Sequence, residues 1–292
     1  MKVLNKISVV VLVAAVTLSL AGIVRAGGST VGLGTAASFA VLAGTAVTNV
    51  PTSVITGDVG LSPASGSNYA GLTAAEVTGT IYAVDGAGPA GSVNNPALLT
   101  TAKNDLTTAY LDAAGRTPTQ TFVAADNQLG GQTLTAGVYA FGGASSANLI
   151  GTLTLDGQGN ANSVFIFQAS STLVTASSSV VQLINGAQAC NVFWQVTSST
   201  TLGTSTTFVG TVMALTSITD NGSATVLGRL LARNAATALN NTTITVPACA
   251  PGLPGTGTAP KQQTISWNIA ALVVVITAAG LLVVTRRKEL IG

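Results

Sequence analysis

Between about residue 30 and residue 247, short apolar runs alternate with stretches rich in Ser, Thr and Gly. Five segments open alike: VYAF at 138–141, VFIFQ at 164–168, VFWQV at 192–196, VMAL at 212–215 and LLAR at 230–233. Their starts lie 26, 28, 20 and 18 residues apart. Each is followed by a Ser/Thr run and then by a second β-branched run that closes near Gly or Asn. Examples of the second run are TFVG at 207–210, TVLG at 225–228 and TITV at 243–246. No helical period fits these stretches. Three short strands per repeat predict the rungs of a β-solenoid, stacked about 4.7–4.9 Å apart. A sandwich of hairpins would instead need turn pairs at regular short intervals. Asn221-Gly222 falls inside a repeat and Asn185-Gly186 before one, so the repeat accounts for the pattern better.

A sixth copy lies far upstream. VLAGTAVT at 41–48 matches VMALTSIT at 212–219 and LLARNAAT at 230–237 slot for slot. Between this copy and the others lies a long insertion with one helical stretch, expected at about 96–114. Asn95-Pro96 begins it, Gly115 stops it, and Leu98, Leu99, Ala102, Leu106, Ala109, Tyr110 and Ala113 share one face. This helix is expected to pack along the solenoid and cover one of its sides.

The ends differ in kind from the middle. Residues 1–26 carry Lys2 and Lys6, an apolar run and a small-residue close at Ala26, which reads as a secretory signal. An N-terminal anchor helix is the alternative. Residues 269–285 form a second apolar run, followed at once by Arg286, Arg287 and Lys288. Within 268–292, this is read as a membrane helix and basic tail, with the cations on the cytoplasmic side. A Pro/Gly-rich linker spans 251–267. The solenoid domain is thus expected at 27–250.

Composition narrows the function. Of 292 residues, 7% are charged and 4% are aromatic, and histidine is absent. Such low charge with high apolar content argues against disorder. The net charge of +2 sits largely at the two ends, so no nucleic-acid footprint exists. Without histidine, Ser-His-Asp catalysis and His-bound zinc are excluded. Asp58, Glu76, Asp85, Asp105, Asp112, Asp126, Asp156 and Asp220 do not pair within the repeat slots, as polysaccharide cleavage would need. The expected protein is not an enzyme and uses no cofactor or metal. Cys190 and Cys249 are the two cysteines. An even count outside the cytosol favours a disulfide, with two buried thiols as the alternative.

Leu253, Pro254, Gly255, Thr256 and Gly257 resemble the LPxTG sorting signal of Gram-positive surface proteins. That signal consists of the pentapeptide, an apolar helix and a basic tail, and all three stand here in order. The resemblance implies sortase cleavage after Thr256 and attachment to peptidoglycan. Membrane retention through the helix is the alternative. Either places the domain outside the cell.

The middle of the chain is similar to the microbial ice-binding proteins. The matching motifs are LGTAASFAVLA at 33–43, ITGDVG at 55–60, LTTAYLDAAGR at 106–116 and NVFWQV at 191–196. This resemblance covers about residues 32–247. It implies a mainly β fold: a right-handed, discontinuous, triangular β-solenoid with one long helix alongside, monomeric, whose partner is the surface of an ice crystal. It also implies ice-facing strands of a Thr-Ala/Gly-x-Thr/Asn pattern. Thr45, Ala46, Val47 and Thr48 fit that pattern fully. Thr216, Ser217, Ile218 and Thr219, and Asn234, Ala235, Ala236 and Thr237, each depart at one position. Ser199 and Thr201 belong to a weaker copy, and the register in the longer rungs, around Ser145 and around Ser171 and Thr172, is open. Strand alternation places the apolar third slot inward and the second and fourth slots outward. Thr48, Thr219 and Thr237 are therefore expected on one outer wall. The competing function is a non-catalytic adhesin or structural wall protein, which exposed bulky aromatics would favour.

Overall fold

The structure is a computed structural model that describes residues 28–123, 127–143 and 146–249. The signal read at 1–26, the linker at 251–267, the sorting motif at 253–257 and the helix and tail at 268–292 lie outside the described residues.

The strand pairings are parallel, and they form three ladders. The first ladder holds Gln120–Phe122, Gly137–Phe141, Phe165–Ala169 and Val192–Val196. It continues through the second halves of Thr207–Ala214 and Thr225–Ala232, then Phe39–Ala43, Asp58–Leu61, Ile81–Ala83 and Val93–Asn94. The second ladder holds Ala147–Leu149, Leu173–Thr175, Thr200–Leu202, Ile218–Asp220, Thr237–Asn240, Val47–Val50 and Tyr69–Ala70. The third holds Thr133–Thr135, Thr152–Asp156, Val180–Ile184, the first halves of the two long strands, Thr243–Thr245, Val54–Thr56 and Val77–Thr78. A rung walks along each ladder once. The upstream copy joins the later ones in register, with Val41 opposite Leu230 and Leu42 opposite Leu231.

The two long strands cross the ridge between the third and first ladders without a break. Glycine permits this. Gly210 takes φ 113°, and a Cβ on Gly228 would lie 1.9 Å from the Gly210 carbonyl oxygen. The ridge between the second and third ladders is built differently. Ser178, Ser205, Ser223 and Asn241 stack there, all with φ between 50° and 60°. Such residues tolerate left-handed backbone better than β-branched ones. Each donates its N–H to the next rung, as Ser205 does to Gly222 O at 2.8 Å.

The repeat's opening motifs read as continuous apolar runs because the first ladder is buried on both sides. Its inner side feeds an aromatic stack. Phe167 and Trp194 ring centres are 4.0 Å apart, and Trp194 and Phe208 are 5.1 Å apart. Its outer side, with Leu42, Val138, Ile166, Phe193, Met213 and Leu231, is covered by the helix Pro96–Gly115. Asn95 caps that helix by accepting from Leu98 N at 3.1 Å. Leu99, Ala102, Leu106, Ala109, Tyr110 and Ala113 are buried against the sheet, and Leu98 packs at the edge. Lys103 Nζ donates to the carbonyl oxygens of Ala232 and Arg233, pinning the helix to the end of a strand. Burial, helped by the nearby Arg233 charge, pulls the Lys103 ammonium down to about 8.

Cys190 and Cys249 form a disulfide with a Cα–Cα distance of 5.6 Å. The cysteines are 59 residues apart in the chain, and closing such a loop stabilises a fold by roughly 4 kcal/mol in the chain-entropy picture.

Candidate functional site

The helix covers the first face, which leaves the second and third open. On the second face the inward column is Ala147, Leu173, Thr200, Ile218, Thr237 and Val47. Alternation then sets the outward positions. One outward column precedes it: Ser146, Thr172, Ser199, Ser217, Ala236 and Ala46. The other follows it: Asn148, Val174, Thr201, Thr219, Ala238, Thr48 and Ala70. None of these side chains is charged. Most are small or β-branched; the small ones keep the wall level, and the β-branched ones are stiff at χ1. Neighbouring hydroxyls are tied across rungs. Ser199 and Ser217 Oγ are 2.9 Å apart, and Ser146 Oγ and Thr172 Oγ1 are 2.5 Å apart.

Most of the expected site residues come together here. Ala46, Thr48, Ser199, Thr201, Ser217 and Thr219 stand in the two outward columns, while Thr45, Thr216 and Asn234 are exposed on the ridge just before them. Ala235 and Thr237 do not fit as expected. Thr237 is inward-facing and fully buried, opposite Val47 and Ile218. The cause is one extra residue on the ridge. From the paired Ala214 and Ala232, the next inward residue is Ile218 in one rung and Thr237 in the other, four and five positions on. The bulge brings Asn234 so close to Gly44 that a Cβ there would lie 2.5 Å from the Asn234 carbonyl carbon. The outward pair in this rung is therefore Ala236 and Ala238. An ungapped match of the three tetrads could not reveal the insertion.

Sequence reasoning also missed Ser146, Asn148, Val174 and Ala70, and left the register of Thr172 open. The ridge is longer before Ala147 and before Tyr69, and Val174 stands where the pattern asks for Thr or Asn, so the tetrad does not mark them. The alternation of Ser146, Ala147, Asn148 and Leu149 was the signal available.

Two acids near this face are turned away from it. Asp220 is buried and accepts from Gly222 N at 2.9 Å and Thr242 Oγ1 at 2.6 Å. Glu76 accepts from Ser53 N, Thr73 N and Asn49 Nδ2. Burial alone would raise the Glu76 carboxyl, but these donors outweigh it and hold the group below the usual carboxylate range. Among the described residues, no three His, Cys, Asp or Glu side chains cluster as metal ligands would.

The third face is less uniform. Thr207, Thr225 and Thr243 form one exposed column, and Thr245, Thr56 and Thr78 form part of another. Gln182, Leu227 and Val54 interrupt them, with Leu227 and Val54 40% and 54% exposed.

The described residues define a parallel β-solenoid with one helix-covered face and one uncharged face rich in Ser, Thr and Ala. Residues 41–245 match the family model described as ice-binding-like, and the chain belongs to that family. It is 41% identical over 217 residues to an ice-binding protein of Flavobacterium frigoris, covering 74% of this chain and 76% of that one. It is 44% identical over 209 residues to an ice-binding protein of Nostoc, covering 71% of each. Among solved structures, an ice-binding protein domain of Shewanella frigidimarina superposes with a TM-score of 0.68 at 34% identity, covering 77% of this chain and all of that domain.

Proposed function

We propose that this protein adsorbs to ice through its second face. The observation that carries the reading is the pair of in-register, charge-free outward columns that run through Ser217 and Thr219. Rungs repeat about every 4.8 Å, and alternate residues on a strand lie roughly 6.7 Å apart. Hydroxyls and methyls at such intervals can order first-layer water into a lattice-like sheet. Charges would orient that water in competing ways. The side chains are fixed before binding, so little entropy is lost on adsorption, and many weak contacts add up. Curated relatives that carry the name ice-binding protein support the reading. Phe193 and Trp194 are buried, which speaks against the aromatic platform a glycan-binding adhesin would use. The function is adsorptive and non-catalytic.

The same reading takes the solenoid as right-handed and discontinuous, and the chain as exported and held at the cell surface as a monomer. Residues 1–26 direct export. Sortase cleaves after Thr256 and joins the domain to peptidoglycan, or residues 268–292 hold it in the membrane. Freeze protection, inhibition of recrystallisation and attachment of the cell to ice all follow from one adsorbing face.

The test is recrystallisation inhibition by the purified domain and by its Thr219→Tyr variant. The variant is expected to need about tenfold more protein, a loss of roughly 1.4 kcal/mol, with unchanged β-sheet circular dichroism. Equal activity would move the site elsewhere. For anchoring, mass spectrometry of wall-released protein is expected to end at Thr256. An intact basic tail would contradict sortase processing.

A further inference from the structure

We propose that the Cys190–Cys249 disulfide is a tether clamp: it fixes Cys249, at the end of the domain, to the ridge that the second face does not touch, and it carries load applied beyond Cys249 into the fully buried strand Val192–Val196 instead of the last strand. The proposal rests on the reading of the second face as the ice surface and of the tail as an anchor.

The fold places the two cysteines as such a clamp requires. Cys190 lies in the short 3-10 turn Ala189–Asn191, between Val180–Ile184 on the third face and Val192–Val196 on the first. That ridge is the one the second face does not touch. Thr243–Thr245, the last strand, ends at the same ridge, where Val246 N donates to Thr56 O at 3.0 Å. Thr243–Thr245 pairs with the first half of Thr225–Ala232, which pairs with Thr207–Ala214, which pairs with Val192–Val196. The turn Ala189–Asn191 itself packs against Thr207–Ala214 and Thr225–Ala232, so the remaining gap is within reach of four extended residues. Residues 246–249 therefore run back along the ridge, and the disulfide joins them to Cys190.

The mechanics follow from the packing. Thr243–Thr245 has three residues, of which only Ile244 is buried. Tension applied there would peel it from its neighbours. Val192–Val196 is buried at all five positions, and Trp194 locks it by stacking on Phe167 and donating to Val209 O at 2.9 Å. With the disulfide closed, tension from beyond Cys249 enters at Cys190 beside that strand. Load applied beyond Cys249 thus enters at the ridge that the second face does not touch.

The experiment couples the full chain by a C-terminal tag to a cantilever tip and presses it against ice. The native chain is expected to detach without lengthening beyond the tail. Cys190→Ser/Cys249→Ser, or the native chain in reductant, is expected to lengthen stepwise before detaching. The gain is expected to reach up to roughly 210 Å, for 59 residues at about 3.6 Å each. Circular dichroism and recrystallisation inhibition in solution establish that the variant is folded and active. Identical extension and detachment force with and without the bond would overturn the clamp. Absence of adhesion in every chain, with no recrystallisation inhibition in solution, would overturn the ice reading and the clamp with it.

Discussion

Thr219 and Thr237 occupy equivalent places in the sequence repeat but opposite sides of the backbone. Thr219 faces out of the second face, while Thr237 points into the core, and its hydroxyl makes no hydrogen bond. The two positions therefore answer differently to substitution. Thr237→Tyr is expected to destabilise the fold outright, because the site has no room for a ring. Thr237→Val keeps the shape and removes an unsatisfied polar group, so it is expected to stabilise by about 1 kcal/mol. Denaturant titration checks both, and a loss of stability in the valine variant would contradict the burial assigned here. The face was legible in the sequence wherever ridge length is constant, as at Thr48 and Thr219. It failed where one inserted residue between Ala232 and Thr237 shifted the alternation, since a period of two turns any slip into an inversion.

At the scale of elements, the helix was legible almost to its ends. An Asn-Pro start, a Gly stop and an apolar face are all local signals, and the sheet supplies the partner that face requires. Leu106 is fully buried between helix and sheet, so Leu106→Ala is expected to cost about 2–5 kcal/mol. Urea unfolding measures this, and a cost below 1 kcal/mol would show that the helix is not docked as described. The partner of the upstream strand could be expected because Val41 and Leu230 open matching motifs, and in the fold they stand opposite one another. The long rungs before Val192 were harder to read. Their extra residues fall on ridges, where no period constrains them. The disulfide was one of two alternatives at the sequence level, because spacing alone does not fix pairing. Its reduction is expected to lower stability by roughly 4 kcal/mol, read as the shift between denaturation curves with and without reductant.

For the whole molecule, the dominant fact is how few charges the surface carries. The chain has no histidine, so no imidazole titrates between pH 5 and 7. Stability and ice activity are expected to be flat across that window. The acid side differs. Glu76, Asp85 and Asp105 are all held below their ordinary values. Glu76 is held there by donors that outweigh its burial, Asp85 by Ser65, Ala87 and Gly66, and Asp105 by Thr35. A carboxylate with a depressed folded value contributes stability that is present above its unfolded value and lost as pH falls through the folded one. Unfolding midpoints are therefore expected to drop below about pH 4. A midpoint that fell between pH 7 and 5 would point to a titrating group absent from this account.

On the proposed reading the second face, and not the third, meets ice. It is tested most directly by ice-affinity partitioning of three variants made in the same background: Thr48→Tyr and Thr219→Tyr on the second face, and Thr225→Tyr on the third. The first two are expected to stay in the liquid, while Thr225→Tyr enters the ice fraction like the parent. Exclusion of Thr225→Tyr together with normal partitioning of the other two would contradict it.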